Sequence, residues 1–107
     1  MISFLFTVNR SFLEYPTHPV TVPRSRVDYA QLRREGLGPS LTIVAPTGQT
    51  VTGRLYSGIA GYGHYYQIQA DGHRGDPLYE LPLGACLRVE VARGDMGTVV
   101  RLHNLGA

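Results

Sequence analysis

Alternating hydrophobic and polar positions recur along most of this chain and predict strands. Residues 2–8 carry apolar side chains at every even position, and the weakly polar positions between them predict burial on both faces. Short apolar runs at residues 20–22 and 41–45 predict two more strands, the second of them rich in β-branched residues. Alternation returns at residues 85–92 and 98–103, which predict the last two strands.

Residues 50–70 predict a hairpin with one apolar face and one polar, aromatic face. The link at residues 57–63 contains three glycines and is longer than the two residues of a tight hairpin, so we expect its tip to project beyond the sheet. A projecting loop of this kind is typical of a recognition element, and an ordinary hairpin with a mobile tip is the alternative interpretation. The polar and aromatic candidates in its strands are Arg54, Tyr56, His64, Tyr65 and Gln67.

The remaining segments predict loops and short helices. Two prolines interrupt residues 9–18, which therefore predict an irregular loop or arm. A pattern resembling a capping box at residues 25–28 predicts a helix over residues 27–35, which is too short to be stable unless it packs against a sheet. Residues 78–81 predict one helical turn that follows a proline. Turn-forming residues lie at positions 71–77 and 94–97.

These elements predict one mainly β domain. A chain of 107 residues can bury a single core but not two, so we expect one domain over residues 1–107. Strands at this spacing are typical of an antiparallel or mixed barrel rather than a βαβ fold. The predicted architecture is a seven-stranded open barrel with one or two short helices.

Composition and charge indicate which kinds of partner this chain could bind. The chain is 43% hydrophobic and 17% charged, which is typical of a folded domain. All 10 basic residues are arginine, which suits bidentate contacts to phosphate and guanine; a coding bias towards arginine explains the same feature without any function. The net charge of only +2 argues against nucleic-acid binding unless the positive charges gather on one side.

The sequence also indicates a compartment. A single cysteine, Cys86, excludes an internal disulfide framework and is typical of a reducing compartment. The apolar opening at residues 1–6 is too short to span a membrane and has no basic segment before it. We therefore expect a soluble, cytoplasmic protein without membrane contact.

Catalytic and cofactor motifs are lacking in the sequence. The glycines of the hairpin lie between strands rather than before a helix, so they predict neither a P-loop nor a dinucleotide site. The spacing of the remaining candidates matches no metal or nucleophile motif. We therefore expect no enzyme activity, no metal and no cofactor. The residues considered are His64, Asp71, His73, Asp76 and Cys86.

The order of the elements resembles a known family. A short strand ends in Val22-Pro23-Arg24 before the helix, and Leu81-Pro82-Leu83-Gly84 leads into the penultimate strand. This order, over nearly the whole chain, resembles the DNA-binding pseudobarrels. That family includes the B-three (B3-like) domains of plant transcription factors and the effector-binding domains of some restriction endonucleases. The chain has no tryptophan, which plant members commonly carry, so it looks closer to the bacterial restriction-modification branch.

The resemblance implies that the chain holds the major groove of double-stranded DNA between two arms. By position, the first arm is the loop after the first strand with the Arg24 to Arg26 side, and the second is the 54–67 hairpin. Arginines there suit phosphate or guanine, and Asn and Gln suit adenine. The alternative is a module for a protein partner, a homodimer or a small ligand. The implied contacts are Asn9, Arg10, Ser11, Arg24 and Arg26 in the first arm, and Arg54, Tyr56, Ser57, Tyr62, His64, Tyr65 and Gln67 in the second.

Overall fold

A computed structural model describes residues 1–36, 40–72, 75–95 and 97–106 and contains seven strands. The strands are β1 (Ile2–Thr7), β2 (Val20–Thr21), β3 (Leu41–Val44), β4 (Thr50–Ala60), β5 (Gly63–Ala70), β6 (Cys86–Gly94) and β7 (Gly97–Gly106). The helices are α1 (Arg10–Glu14), α2 (Tyr29–Gly36) and a 3-10 helix (Pro77–Glu80). The predicted turns at residues 71–77 and 94–97 include His73, Arg74 and Met96, which lie outside the described residues.

All seven strands form one sheet in the order β1-β6-β7-β3-β4-β5-β2. Every neighbouring pair is antiparallel except β3 and β7, which run parallel. The sheet curls until it is nearly closed, with β1 and β2 as its two edges. The prediction of a mainly β, seven-stranded open barrel is confirmed. None of the described helices is long and apolar enough to cross a membrane.

The core lies inside this curled sheet. In β1 the side chains of Ile2, Phe4 and Phe6 are buried, whereas the intervening ones point outwards and are exposed. The prediction that this strand is buried on both faces is wrong: Leu5, on its outer side, remains 52% exposed. Alternation therefore reports which face of the strand is inside, and a weakly polar outer face does not imply a covering layer.

The connection from β1 to β2 closes the seam between the two edge strands. Asn9 caps α1, because its Oδ1 accepts a hydrogen bond from the backbone N of Phe12 at 2.9 Å. The Phe12 side chain is fully buried, with its ring centroid 5.7 Å from that of Phe6. The predicted irregular arm is therefore wrong for Arg10–Glu14, where the cap and the burial of Phe12 stabilise a short helix despite the nearby prolines.

His18 and Asp76 form a buried pair beneath α1. Both side chains are completely enclosed, and His18 Nε2 lies 3.2 Å from Asp76 Oδ2 in an alignment that favours electrostatic contact over a linear hydrogen bond. His18 Nδ1 lies 2.8 Å from the carbonyl oxygen of Phe12, and Asp76 Oδ1 accepts from the backbone N of Leu78. The predicted helical turn after Pro77 is thereby confirmed as a 3-10 helix tied to α1.

The second helix begins later than the sequence predicts. Asp28 itself provides the cap, because its Oδ1 accepts from the backbone N of Ala30 at 2.9 Å, so the predicted capping box at residues 25–28 is wrong. Tyr29, the first residue of α2, donates its hydroxyl to the carbonyl of Val22. The helix packs against β6, as its short length requires.

Removal of the buried carboxylate tests the seam. We expect Asp76→Ala to lower the free energy of unfolding by about 2–4 kcal/mol, because it leaves the Nε2 atom of His18 buried without a partner and removes the cap of the 3-10 helix. Urea unfolding measures this change. Asp95→Ala, in the exposed turn before β7, is the control and should stay within about 0.5 kcal/mol of wild type. Equal stabilities of the two variants would contradict the proposed role of the pair.

Candidate nucleic-acid interface

Strands β4 and β5 form a longer and tighter hairpin than the sequence predicts. They pair without interruption from Gly53 with Ala70 to Ala60 with Gly63, which leaves a two-residue turn. Gly63 takes a φ of +113°, a value that favours glycine, directly after this turn. The predicted long link at residues 57–63 is therefore wrong, and the projecting element is a paired ribbon rather than a loop.

Gly58 explains why a glycine lies within a paired strand. A Cβ at this position would overlap the ring of Tyr65, its cross-strand partner, so the ring lies across the bare backbone of the glycine. The ring centroids of Tyr56 and Tyr62 lie 6.2 and 6.4 Å from that of Tyr65. We call these three residues the tyrosine cluster.

The tyrosine cluster changes the acidity of its central member. Partial burial raises the pKa of Tyr65 above the usual 10.0, and the neighbouring hydroxyl of Tyr56 raises it further, with a smaller contribution from Tyr62. Tyr65 therefore presents a neutral hydroxyl at physiological pH, which can donate a hydrogen bond.

One side of the ribbon carries a chain of polar hydrogen bonds. Arg54 Nη2 lies 3.5 Å from Gln69 Oε1, and Gln69 Nε2 donates to Gln67 Oε1 at 3.1 Å. Gln67 Nε2 in turn donates to the hydroxyl of Thr21 on β2 at 3.3 Å. All three contacts lie on the outer face of the sheet, which we call the ribbon face. Its members on β4 and β5 are Arg54, Tyr56, Tyr65, Gln67 and Gln69.

Residues 17–24 run along the free side of β5 from its end to the ribbon tip. Ala70 N donates to the carbonyl of Thr17, β2 pairs next, and Val22 N donates to the carbonyl of Tyr66. At the tip, Arg24 donates to the carbonyl oxygens of Tyr62 and His64. The Arg24 guanidinium also lies 5.6 Å from the centroid of the Tyr29 ring, so this side chain joins the tip to α2.

A cleft of about 260 Å³ separates α1 from the ribbon face. Ser11 and Tyr15, one helical turn apart, line the α1 side, and Gln67 and Gln69 line the other side. Residues from the loop after the first strand and from the hairpin therefore border the same space. The full lining is Ser11, Tyr15, Thr17, Pro19, Gln67 and Gln69.

The structure brings some of the predicted contact residues together and separates others. Ser57 and His64 lie on the side of the ribbon opposite to Gln67, by the alternation of the paired strands. Asn9 uses its carboxamide oxygen as a helix cap. The cleft beside α1 meets β5 at Gln67 and Gln69, whereas Arg24 bonds to the backbone nearer the tip, at Tyr62 and His64. The predicted first arm is therefore split between the two ends of the ribbon. Arg10, Arg26 and Tyr62 are exposed.

Three residues of this surface were not predicted from the sequence. Gln69 shares the parity of Gln67, so alternation alone could have identified it. Thr21 depends on the pairing of β2 with β5, which has no local sequence signal, and Tyr15 depends on α1, whose local signal is the capping residue Asn9.

Charge is distributed unevenly over the molecule. Residues 17–24 and 50–70 contain no aspartate or glutamate. On β6, far along the sheet, Glu90 is held by His103 at 2.6 Å and by Arg88 at 3.3 Å. Arg10 and Arg26 have no ion pair with any described residue. Within the described part of the chain, no three His, Cys, Asp or Glu side chains are grouped as metal ligands.

A comparison of the chain with protein-family models and with curated proteins finds no match.

The contacts of Arg24 predict a local effect at the ribbon tip. We expect Arg24→Ala to speed amide hydrogen exchange at residues 59–64 several-fold, because it removes two charge-assisted hydrogen bonds worth on the order of 1 kcal/mol at this exposed site. NMR-detected exchange measures it. Arg26→Ala is the control and should leave the tip unchanged. Identical exchange in the two variants would show that Arg24 does not hold the tip.

The tyrosine cluster predicts a change in acidity. Tyr56→Phe keeps the ring, and hence the burial of Tyr65, but removes the neighbouring hydroxyl. We therefore expect the pKa of Tyr65 to fall part of the way towards 10.0, as measured by NMR titration of its Cζ carbon. Tyr15→Phe, outside the cluster, should leave that pKa unchanged. A Tyr65 pKa that stays at its wild-type value in Tyr56→Phe would contradict the assigned cause.

Proposed function

We propose that this chain binds double-stranded DNA without cleaving it, using the ribbon face and the α1 end of the cleft. The observation that carries the proposal is that Ser11 and Gln67 line one cleft. The two segments that the resemblance assigns to DNA therefore lie on the same side of the barrel. We further propose that the chain is a B-three-like pseudobarrel of a restriction or regulatory system and that it acts in the cytoplasm.

The chemistry of the surface suits nucleic acid. Arg54 keeps free guanidinium N–H groups beyond its single contact with Gln69. The side chains of Arg10 and Arg26 are also exposed. Such groups bind phosphates or guanine, and carboxamides and hydroxyls bind base edges. Arg24 contributes its charge while holding the tip in place.

The charge distribution also supports the proposal. A net charge of +2 is small for a DNA-binding domain. The ribbon and residues 17–24 nevertheless carry Arg24 and Arg54 with no acidic residue, whereas Glu14 of α1 and Asp71 after β5 lie outside these two segments.

A protein interface is the second candidate function, with another protein or a second copy of the chain as partner. Ile59 is 77% exposed and Tyr62 is 70% exposed at the ribbon tip, and exposed apolar side chains of this size favour a protein contact. A small ligand in the cleft is the remaining form of this alternative.

Selection from a random duplex library tests the proposal. We expect wild-type protein to retain duplexes with an enriched site and with a steep dependence on salt. Arg54→Ala should weaken binding to DNA by about tenfold. Arg93→Ala, near the end of β6 and separated from β4 by two strands, should leave binding nearly unchanged.

Three results would count against the proposal. Absence of retention at low salt would overturn DNA binding, and concentration-dependent self-association under the same conditions would favour the protein interface. Equal effects of Arg54→Ala and Arg93→Ala would place the contact elsewhere on the barrel.

A further inference from the structure

We propose that the cleft between α1 and β5 is an adenine-recognising site in which Gln67 reads the N6 and N7 edge of the base. This inference rests on the proposed function and names the base that the site selects.

The lining of the cleft favours a neutral, planar ligand. None of the residues that border it is charged, so the cleft does not select a phosphate or a carboxylate. Tyr15 and Pro19 provide flat apolar walls, and the two carboxamides provide polar groups on the facing side. A volume of about 260 Å³ is below the usual range for drug-sized ligands and is large enough for a single base.

The hydrogen bonds around Gln67 fix its orientation. Its carbonyl oxygen accepts from Gln69, and one N–H of its Nε2 donates to Thr21. A carboxamide has two N–H donors and two acceptor lone pairs, so Gln67 retains one donor and one lone pair for a ligand. Gln69 is a positioning residue, because its donation determines which end of the Gln67 carboxamide is the oxygen.

A free donor beside a free acceptor matches one base edge in the major groove. Adenine presents the acceptor N7 beside the donor N6 amino group, which complements a carboxamide at both atoms. Guanine presents two acceptors, cytosine presents a donor alone, and thymine presents an acceptor beside a methyl group. Asn9, the other carboxamide predicted to read adenine, caps α1 through its Oδ1 and is not among the residues that line the cleft.

Atomic substitution of the DNA tests this assignment. In the duplex enriched by wild-type protein, each adenine is replaced in turn by 7-deazaadenine, which keeps base pairing but lacks the N7 acceptor. We expect one such replacement to weaken wild-type binding by about tenfold. Gln67→Met, which keeps the length of the side chain but not its polar groups, should bind the original and replaced duplexes equally.

Two variants complete the experiment. Gln49→Met, in the turn at the opposite end of β4 from the ribbon tip, is the matched control and should discriminate as wild type does. Gln69→Met should reduce, but not abolish, the ratio of the affinity for the original duplex to the affinity for the 7-deazaadenine duplex. A general loss of stability affects both affinities equally and leaves this ratio unchanged. Circular dichroism checks that each variant is folded.

The results separate the inference from the proposed function. If wild-type protein binds duplexes but no 7-deazaadenine replacement weakens binding, or Gln67→Met still discriminates, the adenine site is overturned and DNA binding stands. If no duplex is retained, adenosine monophosphate is titrated while the side-chain amide NMR signal of Gln67 is followed. A shift that its 7-deaza analogue does not reproduce would support adenine recognition with a free nucleotide as the source. No shift would overturn both proposals.

Discussion

The connection between the two edge strands is the constraint on which the surface depends. An open sheet leaves its two edges unpaired, and here a short helix and the residues after it fill the gap between β1 and β2. Phe12 enters the core, and His18 lies between Phe12 and Asp76 with no exposure to solvent. Because these contacts fix α1, they also place Ser11 and Tyr15 opposite the ribbon face. The cleft therefore exists as a consequence of how the barrel is closed.

The ribbon depends on a second set of contacts that are independent of the core. Tyr65 lies over Gly58, and Arg24 bonds to the backbone of Tyr62 in the turn and of His64 on β5. These contacts keep the strands paired beyond the barrel, where no hydrophobic layer supports them. A paired ribbon holds its side chains at fixed positions, and the chain from Arg54 to Thr21 adds orientation to the polar ones. Side chains held in this way would lose little entropy when a partner binds to them.

Periodicity predicted most of the fold, because inward and outward positions alternate in every strand. It predicted the polar face of the hairpin correctly, since Gln67 and Tyr65 lie on the side opposite Ile68. It did not predict α1, whose signal is one capping residue followed by a buried phenylalanine. It misinterpreted Gly58, because the ring that requires a glycine comes from the neighbouring strand. The separation of the predicted first arm likewise arises from the pairing of residues 17–24 with β5, which no local pattern reports.

The proposed contact with double-stranded DNA extends from α1 across the ribbon face to the ribbon tip. Mapping of backbone amide NMR shifts on addition of a short duplex tests it most directly, because the barrel provides its own internal reference. If DNA binds as proposed, we expect the amide signals of Ser11, Thr21, Gln67 and the ribbon tip to shift. The signals of Arg88 and His103, on the outer face of β6 and β7, should not move. Shifts confined to β6 and β7, or no shift at any residue at low salt, would contradict it.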